Sequence, residues 1–348
     1  MIDYTVHTYP IKDLGDLLQI APANHTMGTS LERYLEIKVH PIVESSDYNL
    51  IVVRGQYDRS CGISVKEKSG KMFNYIRPTA VIEGATLYIN CFPGMDYVFH
   101  YGNIIKSYLA LTKKKAEVIH ILPTEDECWK AIVQSGLKNL PKTHTVIMGY
   151  VEGLQWISDD LVWHGTGNFL WKQVRLRKHT AILLGCKHTY WGEIAGRFVR
   201  YLAINGVKRI IYAGKLGTLD SSIHPNLTIA TGNSSILPSG ETIQWENLFE
   251  HVQYPNVHNG IHITVPSVLQ ETTIWLETNR DKGSFVDPEI GHMALAAYNA
   301  KIQFSYFHII SDNLSKKFNS DLSNERELDV IENRKKLLKS IGTAIKNL

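Results

Sequence analysis

Residues 284–317, SFVDPEIGHMALAAYNAKIQFSYFHIISDNLSKK, decide the fold class because they join two regular apolar patterns. Asp287 and Glu289 precede an alanine-rich run that has the apolar spacing of a helix. A strand-like run follows and stops at Ser311 and Asp312. The pattern therefore predicts a buried hairpin of one helix and one strand, with carboxylates at both of its ends.

The same alternation of helix-like and strand-like runs continues outward along the chain. The apolar runs TAILLGC (180–186) and VKRIIYAGKLG (207–217) flank the helix-like run YWGEIAGRFVRYLAING (190–206), which ends at a helix-stopping Asn-Gly pair. Strands that alternate with helices predict an α/β fold, here a mixed, mostly parallel twisted sheet flanked by helices.

The number of domains follows from length and from where these patterns begin. A chain of 348 residues is long enough for two domains. Strand-like runs already start near residue 49, far upstream of the segments described above. We therefore predict an additional N-terminal α/β region of unknown role, residues 1–142, followed by a main domain, residues 143–348.

The overall composition excludes several classes of protein. The 37 basic and 34 acidic residues nearly balance, which argues against a general nucleic-acid binder. Four scattered cysteines without a CxxC pair argue against a zinc site or a disulfide framework. The N-terminal residues lack the basic and apolar parts of a secretory signal, and no apolar run is long enough to cross a membrane. We expect a reduced, soluble, cytoplasmic protein without a metal site or a membrane partner.

Polar residues follow three of the predicted strands. In open α/β sheets, ligands bind beyond the carboxyl ends of the strands. Gly214 and Lys215 follow the run RIIYA, Asp312 follows FHII, and Lys187 and His188 follow AILLG and its cysteine. Taken one at a time, these residues are also explained as polar loops or helix caps. Together they indicate a ligand site at one edge of the sheet.

Three segments carry a resemblance to a known family. The sequences NGVKRIIYAGKLGTL (205–219), FVDPEIGHMALAAYNA (285–300) and IISDNLS (309–315) resemble, in this order, three motifs of the nucleoside phosphorylase and nucleosidase superfamily. This superfamily includes purine nucleoside phosphorylases and methylthioadenosine nucleosidases. The resemblance covers about the last three-fifths of the chain, and nothing in residues 1–142 takes part in it.

The resemblance implies a reaction and roles for particular residues. Glu289 would hold the ribose hydroxyls, with Asp287 and Ser311 also among the substrate-binding residues. Asp312 would face N7 of the purine and donate a proton or a hydrogen bond as the glycosidic bond breaks. A proton donor at the leaving base typically contributes a factor of order 10² to 10⁴ in rate. A carboxylate near the sugar stabilises the positive charge that develops there.

The sequence departs from the phosphorylase pattern around the expected phosphate. Tyr212 and Lys215 stand where phosphorylases carry an arginine and a Ser or Thr, and the loop CKHTYWGE (186–193) keeps only Gly192. Lys187 and Lys215 would still attract an anion, as point charges without arginine's two-pronged geometry. Glu152 lies close to the place of the glutamate that activates water in nucleosidases. These departures favour hydrolysis slightly over phosphorolysis, with inorganic phosphate as the only co-substrate considered and no other cofactor.

Two other functions remain open on this sequence. The chain would be a divergent enzyme on the same scaffold, acting on a modified nucleoside in a specialised biosynthetic or defence pathway, or it would bind a nucleoside or nucleotide without catalysis. The resemblance also implies a homo-oligomer. No nucleic-acid partner is expected.

Overall fold

The computed structural model describes residues 14–45, 47–61, 71–252, 254, 256–319 and 327–348. A first sheet of four strands belongs to the N-terminal region and has the order β2-β3-β1-β4, with only β2 antiparallel to its neighbour. Its strands are β1 (Leu50–Arg54), β2 (Thr79–Glu83), β3 (Thr86–Asn90) and β4 (Glu117–Ile121). The helices of this region are α1 (Ser30–Lys38), α2 (Ile42–Ser45), α3 (Met95–Thr112) and α4 (Glu125–Gln134).

The rest of the chain forms two further sheets. The five-stranded sheet has the order β16-β8-β5-β7-β6 and the eight-stranded sheet the order β12-β11-β14-β15-β9-β17-β10-β13. The strands of the five-stranded sheet are β5 (Thr145–Gly149), β6 (Phe169–Arg175), β7 (Thr180–Cys186), β8 (Arg209–Ala213) and β16 (Gln303–Tyr306). Those of the eight-stranded sheet are β9 (Lys215–Thr218), β10 (Ile229–Thr231), β11 (Ser234–Ile236), β12 (Thr242–Gln244), β13 (Val257–Asn259), β14 (His262–Thr264), β15 (Phe285–Asp287) and β17 (His308–Asn313).

Four more helices pack beside these two sheets: α5 (Glu193–Ile204), α6 (Thr273–Asn279), α7 (Ile290–Asn299) and α8 (Leu328–Lys346). Most strand pairs are parallel, including β5 with β7 and β8, and β8 with β16. The predicted fold class is therefore confirmed: mixed, mostly parallel sheets flanked by helices, with additional α/β structure in the N-terminal region.

Two strands of the five-stranded sheet continue directly into the eight-stranded one. Gly214 alone separates β8 from β9, and Phe307 alone separates β16 from β17. Hydrogen bonds bridge the crossing, because Phe307 N–H donates to Tyr212 O (2.9 Å) and Ile309 N–H donates to Gly214 O (3.0 Å). The strand predicted in the hairpin is thus two strands in two sheets, and the prediction of one continuous strand was wrong.

The N-terminal region shares a hydrophobic core with the remainder of the chain. One buried cluster joins Leu31 and Val98 of the first region to Phe198, Tyr212 and Met293 of the second. The four strands of the first sheet end at Ile121, and the other sheets begin at Thr145. The predicted boundary at residue 142 therefore falls between sheets, while the side chains on its two sides pack together.

Within the described residues, no helix is both long and apolar enough to span a membrane. The same residues contain no group of three or more His, Cys, Asp or Glu side chains placed to hold a metal ion.

Gly214 is the residue on which the crossing of β8 into β9 depends. A Cβ atom at this position would lie 2.8 Å from Nε2 of His308, closer than real Cβ contacts. We expect Gly214→Ala to lower the free energy of unfolding by about 1–3 kcal/mol, as overpacking of a well-packed interior does. Urea unfolding followed by circular dichroism measures the change.

A matched control for this prediction is Gly240→Ala, because a Cβ at Gly240 meets no atom within 4 Å although its φ is +86°. The free energy of unfolding of this control should fall only by the cost of a strained backbone, about 1 kcal/mol. An equal or smaller loss for Gly214→Ala would show that the crossing tolerates a side chain.

Candidate functional site

Glu289 lies at the start of helix α7, where the chain leaves strand β15. Its carboxylate is half-buried and accepts two long hydrogen bonds, from Gly192 N–H (3.4 Å) and Tyr212 O–H (3.5 Å). Burial and the nearby charge of Asp287 raise the pKa of Glu289 well above its usual value. The Glu289 carboxyl group is therefore able to accept shorter, stronger hydrogen bonds than the two that the protein donates to it.

Asp287 holds the backbone that carries Glu289. Its Oδ1 accepts hydrogen bonds from Glu289 N–H and Ile290 N–H, both at 2.9 Å, and so caps helix α7. The same oxygen lies 3.0 Å from Nε2 of His262. The Asp287 side chain is buried, and these contacts occupy its Oδ1. Asp287 therefore positions the backbone that carries Glu289.

Two buried histidines flank Asp287. Nδ1 of His308 accepts a hydrogen bond from Gly214 N–H (3.1 Å), which leaves Nε2 to carry the ring proton, 3.8 Å from Asp287 Oδ2. Burial lowers the pKa of His308 to about 4, so the ring is neutral at physiological pH. Burial alone would raise the pKa of Asp287, but His262, His308 and the backbone N–H donors outweigh it and lower that pKa. Asp287 is therefore ionised.

Asp312 is fixed at the other leg of the hairpin. Ser311 Oγ donates to Asp312 Oδ1 (2.9 Å) at a bulge in strand β17. The register of the sheet aligns Val286 of β15, Gly217 of β9 and Asp312 in one row. A Cβ at Gly217 would lie 3.2 Å from Asp312 Oδ2 and 3.3 Å from Val286 Cγ1. Since one strand separates β15 from β17, Asp312 lies about 10 Å across the sheet from the strand that leads to Glu289.

Glu271 is a fourth acidic residue of this region, and the sequence analysis did not predict it. It is only 3 % exposed and precedes helix α6. Burial raises the pKa of Glu271 well above its usual value, and the charges of Asp312 and Asp287 raise it further. Burial and the neighbouring charges therefore favour the protonated form of Glu271, which lies near the ionised Asp287. A glutamate that precedes a helix is common, so its sequence context gives no signal for this role.

The N-terminal region also reaches this site. Tyr34 of helix α1 is half-buried; burial raises its pKa, and the charges of Glu271 and Asp312 raise it further. The backbone N–H of Thr26 donates to Glu271 O (3.2 Å), and Thr26 Oγ1 donates to the same oxygen (2.8 Å). The structure thus brings the N-terminal region into contact with Glu271.

A segment before strand β2 pairs with the loop after strand β7. Tyr75 N–H and Ile76 N–H both donate to Lys187 O, at 3.1 and 3.0 Å. This pairing places Arg77, whose Nη1 donates to Thr189 Oγ1 (2.8 Å). The N-terminal region therefore supplies a guanidinium group to the loop after strand β7, in which the sequence keeps only Gly192 of the expected glycines.

Helices α3 and α5 cap each other across the two regions. Asp96 Oδ2 accepts from Glu193 N–H (2.9 Å), while Glu193 Oε1 accepts from Met95 N–H (2.7 Å) and its Oε2 from Asp96 N–H (3.3 Å). Gly192 makes this approach feasible, since a Cβ there would lie 2.3 Å from Asp96 Oδ2. Because Gly192 N–H contacts Glu289, Asp96 helps to determine where the Glu289 carboxylate lies.

Asp96 also contacts the helix that starts at Glu289. Nε2 of His292 lies 3.3 Å from Asp96 Oδ2. Arg197 contacts Glu193, with Nε 3.7 Å from Glu193 Oε1. Its two terminal nitrogens also donate to the Glu125 carboxylate, at 2.5 and 3.0 Å. A buried charged network therefore joins α3, α4, α5 and α7 behind the site.

The remaining predicted residues make other contacts within the part of the chain that the structure describes. Glu152 accepts a hydrogen bond from Met72 N–H (3.1 Å). His188 is buried against aromatic rings, and Gly214 N–H is used by His308. Lys187 and Lys215 are both half-exposed. Their roles in binding or catalysis stay predictions.

Comparisons with known proteins give distant likenesses. No protein-family model matches the chain. It is 23 % identical over 340 residues to oxidoreductase cns1 of Cordyceps militaris, covering 82 % of this chain and 42 % of that protein. The chain thus spans about two-fifths of the length of this curated relative.

Several solved structures are similar to part of the chain. They include purine nucleoside phosphorylase from Toxoplasma gondii in complex with immucillin-H, with 14 % identity over 58 % of this chain and 89 % of that chain and a TM-score of 0.48. Uridine phosphorylase from Vibrio fischeri has 11 % identity over 60 % and 92 %, with a TM-score of 0.49. The 5′-methylthioadenosine/S-adenosyl homocysteine nucleosidase from Campylobacter jejuni has 13 % identity over 60 % and 100 %, with a TM-score of 0.45.

Proposed function

We propose that this chain cleaves the N-glycosidic bond of a purine-like nucleoside or nucleotide, with hydrolysis favoured over phosphorolysis. The observation that carries the proposal is the placement of Glu289 and Asp312 on either side of strand β9, with Glu271 near Asp312. In this proposal the half-buried carboxyl group of Glu289 would face the sugar, and those of Asp312 and Glu271 would face the leaving base.

The two halves of the site suit the two charges that develop in the reaction. Ribose hydroxyls would donate to Glu289 in place of its long contacts and would favour its ionised form. Asp312 would interact with the leaving base, and Glu271, whose protonated form is favoured by burial and by nearby charges, would resupply a proton. Environments that raise the pKa of one carboxyl group beside an ionised neighbour are typical of acid–base sites.

The balance between water and phosphate as the nucleophile depends on two opposing observations. Gly214 N–H donates to His308 and so is not free to bind a phosphate. Arg77 at Thr189 favours phosphorolysis, because a guanidinium group binds phosphate well. The first observation concerns the position of the expected glycine turn and therefore favours hydrolysis.

The experiment is an incubation of the purified chain with a panel of purine nucleosides and nucleotides, with and without inorganic phosphate. We expect release of free base without phosphate, detected by chromatography and mass spectrometry. Release only with phosphate would replace hydrolysis by phosphorolysis and would assign Arg77 to the anion. Purine binding without any release would instead support a nucleoside-binding protein.

Glu289→Gln tests the assignment of the sugar side. A neutral amide at this position accepts hydrogen bonds from ribose hydroxyls more weakly, so kcat/KM should fall about 10- to 100-fold. Glu277→Gln on the exposed face of helix α6 is the matched control and should leave kcat/KM unchanged. If both variants keep the wild-type kcat/KM, Glu289 does not contact the sugar.

A further inference from the structure

A second cavity lies between the N-terminal region and the loop after strand β7. Its volume is about 320 Å³, and its walls include Gly55 and Tyr57 after β1, Phe92 after β3 and His188 after β7. Glu289, Asp312 and Glu271 do not line it. The cavity is therefore separate from the candidate site, and it lies at the carboxyl ends of parallel strands, where α/β sheets bind ligands.

One wall of this cavity is aromatic. The ring of His188 lies edge-on to Tyr57, with centroids 4.8 Å apart, and 4.7 Å from the ring of Phe92. Burial lowers the pKa of His188 to about 4, so the ring is neutral and offers one nitrogen as a hydrogen-bond acceptor. An aromatic wall of this kind favours a planar ring as the ligand, stacked on one ring and edge-on to another.

The opposite wall is polar and belongs mainly to helix α4. Glu127, Ala131 and Gln134 line the cavity from one face of the helix, and Lys130 stands at the exposed rim. The Glu127 carboxylate is held at Thr124, accepting from its N–H (2.7 Å) and its Oγ1 (2.9 Å). Lys130 makes no ion pair with another described residue, so its charge is available to a ligand.

We propose that this cavity binds a small heteroaromatic molecule that carries an anionic group. The ring would lie against Tyr57, Phe92 and His188, and its polar edge would meet the amide groups of Gln134 and Asn168. Lys130 would bind the anionic group. The volume lies at the lower end of the roughly 300–1,000 Å³ range of ligand pockets, which limits the ligand to about the size of a mononucleotide.

The test uses AMP as the probe, titrated into the full-length chain in a calorimeter. Adenosine and ribose 5-phosphate, which carry the ring and the anion separately, are titrated in parallel. We expect AMP to bind more tightly than either half. Lys130→Met should weaken AMP binding about 10- to 100-fold, as loss of a charge-assisted hydrogen bond does, and leave adenosine binding unchanged. Lys130 is exposed, so this variant should fold normally.

Two further variants separate this cavity from the candidate site. Ala131→Phe fills the cavity and should abolish AMP binding there, with unfolding curves that show an intact protein. Glu289→Gln should leave AMP binding to the cavity unchanged. The proposal fails if AMP does not bind at millimolar concentration, or if its binding responds to Glu289→Gln and not to the two cavity variants. Because the cavity variants and Glu289→Gln act on different sites, their separate effects on AMP binding distinguish failure of this proposal from failure of the proposed cleavage.

Discussion

Asp312→Asn is expected to lower kcat by a factor of about 10² to 10⁴ and to leave substrate binding nearly unchanged. The amide still accepts the hydrogen bond that Ser311 donates to the wild-type Oδ1, so the side chain should keep its position. It has no proton to exchange with the leaving base. Single-turnover measurements and calorimetric binding with the same nucleoside would separate the effect on chemistry from the effect on affinity.

The control for this variant is Asp281→Asn, which changes an exposed aspartate just after helix α6 and should alter neither quantity. A wild-type kcat for Asp312→Asn would remove Asp312 from the reaction. In that case Glu271→Gln becomes the decisive variant, because the pKa of Glu271 is raised by burial and by the charges of Asp312 and Asp287.

Asp96→Ala is expected to destabilise the fold by about 3–5 kcal/mol, because it removes one member of a buried charged network. The N–H of Glu193 would lose its acceptor, and His292 would lose a neighbouring carboxylate. KM for the nucleoside should also rise, since the backbone at Gly192 contacts Glu289. Thermal unfolding and steady-state kinetics measure the two effects. The control is Asp126→Ala, which changes an exposed residue of helix α4.

The pH dependence of stability distinguishes a charge effect from a lost hydrogen bond. Burial, and after it the charge of Asp96, raises the pKa of Glu193 from 4.5 to about 8. The folded state therefore binds this proton more tightly, and the resulting stability is present below pH 4.5 and lost as pH rises through about 8. Asp96→Asn keeps an acceptor but removes the repulsion, so the loss should move to lower pH. An unchanged pH profile would contradict the coupling.

The chemistry-bearing residues of the C-terminal part were predictable because they lie at element ends. Glu289 before helix α7 and Asp312 near the end of β17 are in the positions that the hairpin pattern predicted. The bend at Phe307 was not predictable, since a buried strand that changes sheets has the same apolar composition as one that does not. The local sequence pattern therefore located both carboxylates. It did not predict that the strand carrying Asp312 is divided between two sheets.

The contribution of the N-terminal region could not be predicted from the sequence. Arg77 and Asp96 lie 112 and 97 residues before Thr189 and Glu193, which they contact, and Tyr34 lies farther still from Glu271. Pairing of residues 74–76 with the loop at 186–188 depends on backbone hydrogen bonds, which leave no side-chain signature. The resemblance begins only near residue 143, so it gave no expectation for contacts made by the N-terminal region.

The continuity of β8 with β9 and of β16 with β17 has a consequence for motion. The chain connects the five-stranded sheet to the eight-stranded sheet at two neighbouring places, Gly214 and Phe307. Backbone hydrogen bonds link these two connections to each other. Any hinge rotation between the sheets would have to break those bonds together, so the two sheets should fluctuate as one rigid frame. Any opening of the proposed site for substrate entry would therefore have to come from elements outside this frame.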